Sequence, residues 1–231
     1  MISKHGLWGY FLLPGVACLL IAGLLVAGAW SFHEDIGLWM GGIYPDSWWG
    51  HNFISDVFGY ISFGLVIAVT LLIFKYIALI VSAPFLGPLS EKIESLVTGQ
   101  AAPKFSLKDM AVDTARAVRI SLRNIVRELF WTLVVMIVLG ITGIGAFLSP
   151  VLLFVIQSYY AGFGDMDPAL ERRRYNVKQR VAFVRSHKGL AIGNGAVFVL
   201  LMFVPILGWF MAPALGTAAA TLDVVARKAE K

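Results

Sequence analysis

The sequence is short of charge. Only 14% of its 231 residues are Asp, Glu, Lys or Arg, against about 25% in an average soluble domain. The shortfall is concentrated: no charged residue falls between Leu7 and Trp30, between Leu129 and Gly164, or between Gly189 and Leu222. Runs of this length belong to membrane proteins. Cysteine is also scarce. Cys18 stands alone inside an apolar run, which excludes an internal disulfide. The four histidines (His5, His33, His51 and His187) show no ligand spacing, so no metal site is expected. No nucleophile–base pair emerges, and neither catalytic residues nor a cofactor are expected. There is no soluble module to present the net charge of +5 to a nucleic acid. That charge suits anionic headgroups of a cytoplasmic leaflet instead.

What is present divides the chain into one membrane domain, 1–231. Residues 7–30 are charge-free and long enough to span, since a crossing needs about 20 residues. Lys4 and the Ala27-Gly28-Ala29 stretch imitate a signal peptide. The apolar run from Gly6 to Phe32 exceeds the roughly 7–15 residues of a signal core, so a retained first helix is expected. Residues 31–56 carry Glu34, Asp35, Asp46 and Asp56 but no Lys or Arg. With Trp39, Tyr44, Trp48 and Trp49 they read as an external loop with an interfacial aromatic belt. A second span covers 57–83, with Lys75 snorkelling near its far end. Pro84 and Pro88 are expected to kink or end it.

Residues 84–128 read as cytoplasmic amphipathic helices. From Leu107 to Leu129 apolar residues recur at helical spacing. Arg116, Arg119, Arg123 and Arg127 fall within about a quarter of the helix circumference, at roughly 100° per residue. This stripe has two readings: an attractor for a small anion, or a face that lies on lipid phosphates.

The two later charge-free runs, 129–164 and 189–222, decide the architecture. A 36-residue helix is about 54 Å long, whereas two crossings of a core about 30 Å thick need about 60 Å plus a turn. Helix breakers sit mid-run: GITGIGAFLSP in the first, and Pro205, Gly208 and Pro213 in the second. Two re-entrant, half-membrane helical hairpins are therefore expected. The basic segments 101–128 and 165–188 and the tail 223–231 then lie on the cytoplasmic side by the positive-inside rule. The fold class is an all-α integral membrane protein: two long transmembrane helices, two re-entrant hairpins and basic amphipathic connecting helices. Asp167-Pro168 reads as the start of the basic interfacial helix 165–188, with Asp as N-cap and Pro at the first helical position.

The order of features resembles a known family. Ala83-Pro84-Phe85 followed by SEKIE, a basic helix ending in RELFW, then SYYAGFGDMDPALERRR and the tail from Pro205 to Thr221 are similar to the CysZ-type sulfate permeases. Those belong to the wider etoposide-induced membrane-protein superfamily. The family's Gly-Leu-Arg motif is absent from MISKHGLWGYFLLP, and Leu86 replaces the Asn of its Pro-Phe-Asn turn. The resemblance implies homo-oligomers in the bacterial inner membrane that take up sulfate or a related oxyanion for cysteine synthesis. A small oxyanion in a membrane needs donors that replace water. Backbone N–H groups at half-helix ends supply them. Gly143, Gly145 and the stretch Pro205–Gly208 are the candidate donors, with the arginine stripe as attractor. A non-transporting membrane scaffold of the same fold is the alternative. Sulfate, anionic lipid and further copies of the chain are the expected partners.

Overall fold

The computed structural model describes residues 8–41, 51–100, 106–140, 145–204 and 206–229. Among the described residues there are seven helices: α1 (Gly9–Gly41), α2 (His51–Thr98), α3 (Leu107–Gly140), α4 (Gly145–Glu171), α5 (Val177–Ser186), α6 (Lys188–Met202) and α7 (Leu207–Ala229). No strand occurs among the described residues. Three stretches are long and apolar enough to cross a membrane: Gly9–Phe32, Ile73–Thr98 and Leu207–Arg227. The protein is an all-helical membrane protein.

Two compact units are distinguished. One holds residues 19–77, the other residues 1–18 and 78–231. In the first, Leu20, Leu24, Trp30 and Phe32 are each more than 60% exposed. That pattern is costly in water and appropriate to a hydrocarbon solvent. Lys75, expected to snorkel outward, is instead buried, with its Nζ 4.8 Å from the centre of the Tyr76 ring. An ammonium over an aromatic face keeps part of its electrostatic solvation without reaching water.

Helix boundaries differ from the sequence expectation at three places. α1 continues to Gly41 and α2 begins at His51, so both ends of the expected loop are helical. The chain has no proline between Gly15 and Tyr44 to stop α1. Tyr44, Trp48 and Trp49 lie outside the described residues. α2 also runs through Pro84 and Pro88 to Thr98. Their spacing of four puts both missing N–H groups on one helix face, so the opposite face keeps its hydrogen bonds. Gly99 closes α2 with a left-handed φ of 71°, the usual role of glycine just past a helix end.

In the larger unit α4 is the buried element. Phe163, Met166, Ala169 and Leu170 join Ile120 of α3, Val184 of α5, Ala191 of α6 and Ala220 and Val224 of α7 in one core. Phe11 packs with Leu86, Leu89, Ile93 and Ala214 in a second. Cys18 is fully buried there too, its Sγ 3.6 Å from Ser82 Oγ. α4 and α6 touch backbone to backbone. A Cβ on Gly162 would collide with the Ala191 carbonyl, and one on Gly195 with the Ser158 carbonyl. Small residues allow this approach where apolar burial alone drives little association.

The expected helix start at Asp167-Pro168 is corrected. α4 passes through both residues to Glu171. The turn falls later, where Arg174 takes a left-handed φ of 55°. Asn176 then caps α5: its side chain accepts from Gln179 N, and Gln179 Oε1 accepts from Asn176 N, both at 2.9 Å. This reciprocal pair satisfies two otherwise orphaned donors.

Candidate functional site

Two kinds of charged group lie close together here, and they are wired differently. The first is a closed network. Arg180 of α5 is 3% exposed and donates from Nη1 to both oxygens of Asp167, at 2.9 and 3.0 Å. Its Nη2 donates to Glu171 Oε1 at 3.0 Å and its Nε to the Tyr175 carbonyl at 2.9 Å. Burial pushes the Asp167 carboxyl up to about 6, with Arg180 pulling it back towards ionisation. Asp167 thus serves as half of a clamp across the α4–α5 turn.

Asp165, two residues earlier, has no cation paired with it among the described residues. It is fully buried, and its Oδ2 accepts from Asn194 Nδ2 at 2.9 Å. The same amide donates to the Gly216 carbonyl at 3.1 Å, so Asn194 joins α4, α6 and α7. Asp165 Oδ1 has no partner. Burial holds this carboxyl well above the usual range and so favours its neutral form.

The second kind is an open basin. α3 is amphipathic, and of its arginine stripe Arg123 and Arg127 line the larger cavity. α5 adds Arg185 and α6 adds Lys188. Tyr159, Tyr160 and Phe163 of α4 form the floor, and Trp131, Val155, Ile156, Val181 and Ile192 complete a cavity of about 530 Å³. A second cavity of about 320 Å³ shares Arg123, Arg127 and Arg185 and adds Lys178, Val177, Val181 and Ala182. Three arginines therefore serve two hollows.

Like charges crowd here. Burial, and next the Arg127 cation, lower the basicity of Arg123, with Arg185 adding a smaller push. The Arg123 guanidinium lies 5.8 Å from the Phe163 ring centre, and its Nη1 donates to Asn124 Oδ1 at 2.9 Å. Among the described residues no carboxylate pairs with Arg123, Arg127, Arg185 or Lys188. Cations held close and not paired with a carboxylate are the kind of group that an anion would need.

Of the predicted stripe, Arg123 and Arg127 line the two cavities. Arg116 and Arg119 are exposed and line neither cavity. Gly145 is the first residue of α4, while Gly143 and Pro205 lie outside the described residues. Gly208 packs against the Leu201 carbonyl where α6 turns into α7, and Trp209 Nε1 donates to the Met202 carbonyl at 3.0 Å. Pro84 and Phe85 lie within α2. Sequence reasoning missed Arg185, Lys188, Tyr159 and Tyr160 as site residues. A usable signal existed: Arg185 and Lys188 are three apart beside the α5–α6 joint, and Tyr159-Tyr160 sit inside a charge-free run.

Comparison with known proteins gives a consistent answer. The family described as Sulfate transporter CysZ/Etoposide-induced protein 2.4 matches residues 1–213. A protein named Sulfate transporter CysZ from Pseudomonas aeruginosa is 28% identical over 233 residues, covering 100% of this chain and 92% of its own. One of the same name from Pectobacterium atrosepticum is 26% identical over 220 residues, covering 92% of this chain and 76% of its own.

Proposed function

The chain belongs to the Sulfate transporter CysZ/Etoposide-induced protein 2.4 family, and from that premise we propose that it carries sulfate or a similar small oxyanion across a membrane. Both relatives are named as transporters of sulfate, and the reading requires neither catalytic residues nor a cofactor. One observation carries it to particular residues: Arg123, Arg127 and Arg185 converge from two helices without a carboxylate partner. Guanidinium groups present planar forks that match tetrahedral oxyanions. Lys178 and Lys188 widen the field that gathers the ion. In this reading the protein is a multi-pass protein of the bacterial inner membrane, with its basic segments cytoplasmic and facing anionic lipid. α3–α4 and α6–α7 are the re-entrant hairpins, and several copies assemble as a permease or channel.

The test is sulfate flux into proteoliposomes, normalised to folded, inserted protein, for wild type and for Arg123→Glu/Arg185→Glu. The variant is expected to carry several-fold less sulfate at low salt. The gap should narrow at 1 M, where the Debye length falls from about 8 Å to about 3 Å. Equal flux at low salt removes these arginines from the pathway. The alternative is a non-transporting scaffold of the same fold. Absence of flux of any oxyanion in verified folded wild type selects that reading.

A further inference from the structure

The two cavities that share the arginines are unlike in their walls, and the difference identifies a ligand. The smaller, on the α5 side, has Lys178 and short aliphatic residues and no aromatic ring. The larger has cations along one part and Trp131, Val155, Ile156 and Ile192 along another, with Tyr159 and Tyr160 contributing to its floor. A water's share of liquid volume is about 30 Å³. A bare tetrahedral oxyanion, only a few times larger, leaves most of the roughly 530 Å³ empty. It also brings no apolar surface to cover those aliphatic residues. A ligand matched to both parts is an amphiphile with an anionic head.

The apolar part does not end at the cavity. Trp131 is 49% exposed and Val155 37%. Exposed apolar residues continue from them on the same helix faces, along α3 as Val138 and along α4 as Leu152 and Leu148. On α4 these recur at helical spacing, so they form one stripe. Cations, then aromatic rings, then aliphatic side chains are the order in which a bilayer presents phosphate, interface and hydrocarbon. Basic pockets between helices at a membrane surface hold phospholipid headgroups in this way.

We infer that the larger cavity is a specific anionic-phospholipid site. The lipid phosphate lies among Arg123, Arg127, Arg185 and Lys188, and one acyl chain runs past Trp131 and Val155 onto the apolar stripe. This deepens the transport reading and rests on it in one respect: lipid phosphate and free sulfate compete for the same three arginines, so bound lipid regulates anion capture.

Two measurements separate the parts. The first titrates full-length protein in neutral detergent with phosphatidylglycerol, phosphatidylcholine, glycerol phosphate and sodium sulfate, with bound lipid read by native mass spectrometry. Saturable binding of phosphatidylglycerol is expected, with phosphatidylcholine and glycerol phosphate much weaker. Arg123→Gln/Arg185→Gln should weaken phosphatidylglycerol roughly tenfold or more, as loss of two cations near an anionic headgroup implies. Leu148→Gln/Leu152→Gln, on the apolar stripe beyond the cavity lining, keeps every charge and should weaken phosphatidylglycerol several-fold while sulfate binding is unchanged. Equal affinity for glycerol phosphate and phosphatidylglycerol, or phosphatidylglycerol binding unchanged in either variant, overturns the lipid site. The second measures sulfate flux in vesicles with and without phosphatidylglycerol. Lower flux with the anionic lipid supports competition, and flux equal in both refutes it. No flux in either refutes the transport reading, and the lipid site then stands or falls on the first measurement.

Discussion

Arg180 and Arg185 stand on the same ten-residue helix and meet opposite fates. Arg180 is buried and fully engaged by Asp167, Glu171 and the Tyr175 carbonyl. Arg185 is exposed, faces two cavities and has no carboxylate partner among the described residues. The first cation is spent on holding the α4–α5 turn; the second is available to something outside the chain. Basic character alone therefore does not identify a binding residue. The counter-charges around it do.

The largest expected effect breaks the closed network. Arg180→Met keeps most of the side-chain volume but leaves Asp167 and Glu171 buried without their cation. Removing one partner of a buried pair costs about 3–5 kcal/mol, whereas Arg185→Met should stay within about 0.5 kcal/mol, as exposed positions do. Unfolding in detergent measures both, and equal losses would erase the distinction between the two arginines.

Acidity sharpens the comparison further. The Asp167 carboxyl lies at about 6, above its ordinary 3.8, because burial outweighs Arg180. The folded chain then binds this proton more tightly than the unfolded one. The group's contribution to stability is full below about 4, falls as pH rises from about 4 to about 6 and is level above. In Arg180→Met the carboxyl rises further, so the cost of that substitution should shrink as the buffer is taken from pH 8 to pH 5. A cost independent of pH would mean that Asp167 is not the group left stranded.

Asp167→Asn comes next. It loses charge-assisted bonds worth about 1.5–3 kcal/mol, while Asp165→Asn replaces a carboxyl whose neutral form burial favours by a group of the same shape and should change stability by less than about 1 kcal/mol. A larger loss at Asp165 than at Asp167 would reverse the assignment of which acid carries charge. The smallest effect is expected at Arg119→Gln, on α3 but outside both cavities. Neither stability nor normalised sulfate flux should change, and a flux loss equal to that of Arg123→Gln would return the whole stripe to the site.

Much of this was legible before any coordinates. Charge-free runs give membrane helices directly, because hydrocarbon rejects charge wherever it falls on the helix. The helical spacing of Arg116, Arg119, Arg123 and Arg127 put them on one face. It could not tell which of them meet α4 and α5, since that depends on where α3 crosses its neighbours. Arg180 looked like any other basic residue of the 165–188 segment. Its burial depends on a turn at Arg174 and a cap at Asn176, and the sequence offered Asp167-Pro168 as a more familiar helix start. Asn194 stands between two glycines, of which Gly195 packs on the Ser158 carbonyl. The bond from Asn194 to Asp165 joins residues 29 apart in sequence, which no local pattern reveals.

Cys18 carries a consequence for experiment. It is the chain's single thiol, fully enclosed, with Ser82 Oγ and the Ala78 carbonyl as its nearest polar neighbours. Charged maleimides do not reach such a sulfur while the fold is intact. The natural sequence is therefore already a silent background for site-directed labelling. A cysteine placed at Lys178 reports its own side of the membrane, and sudden reactivity of Cys18 itself reports that α1 has separated from α2.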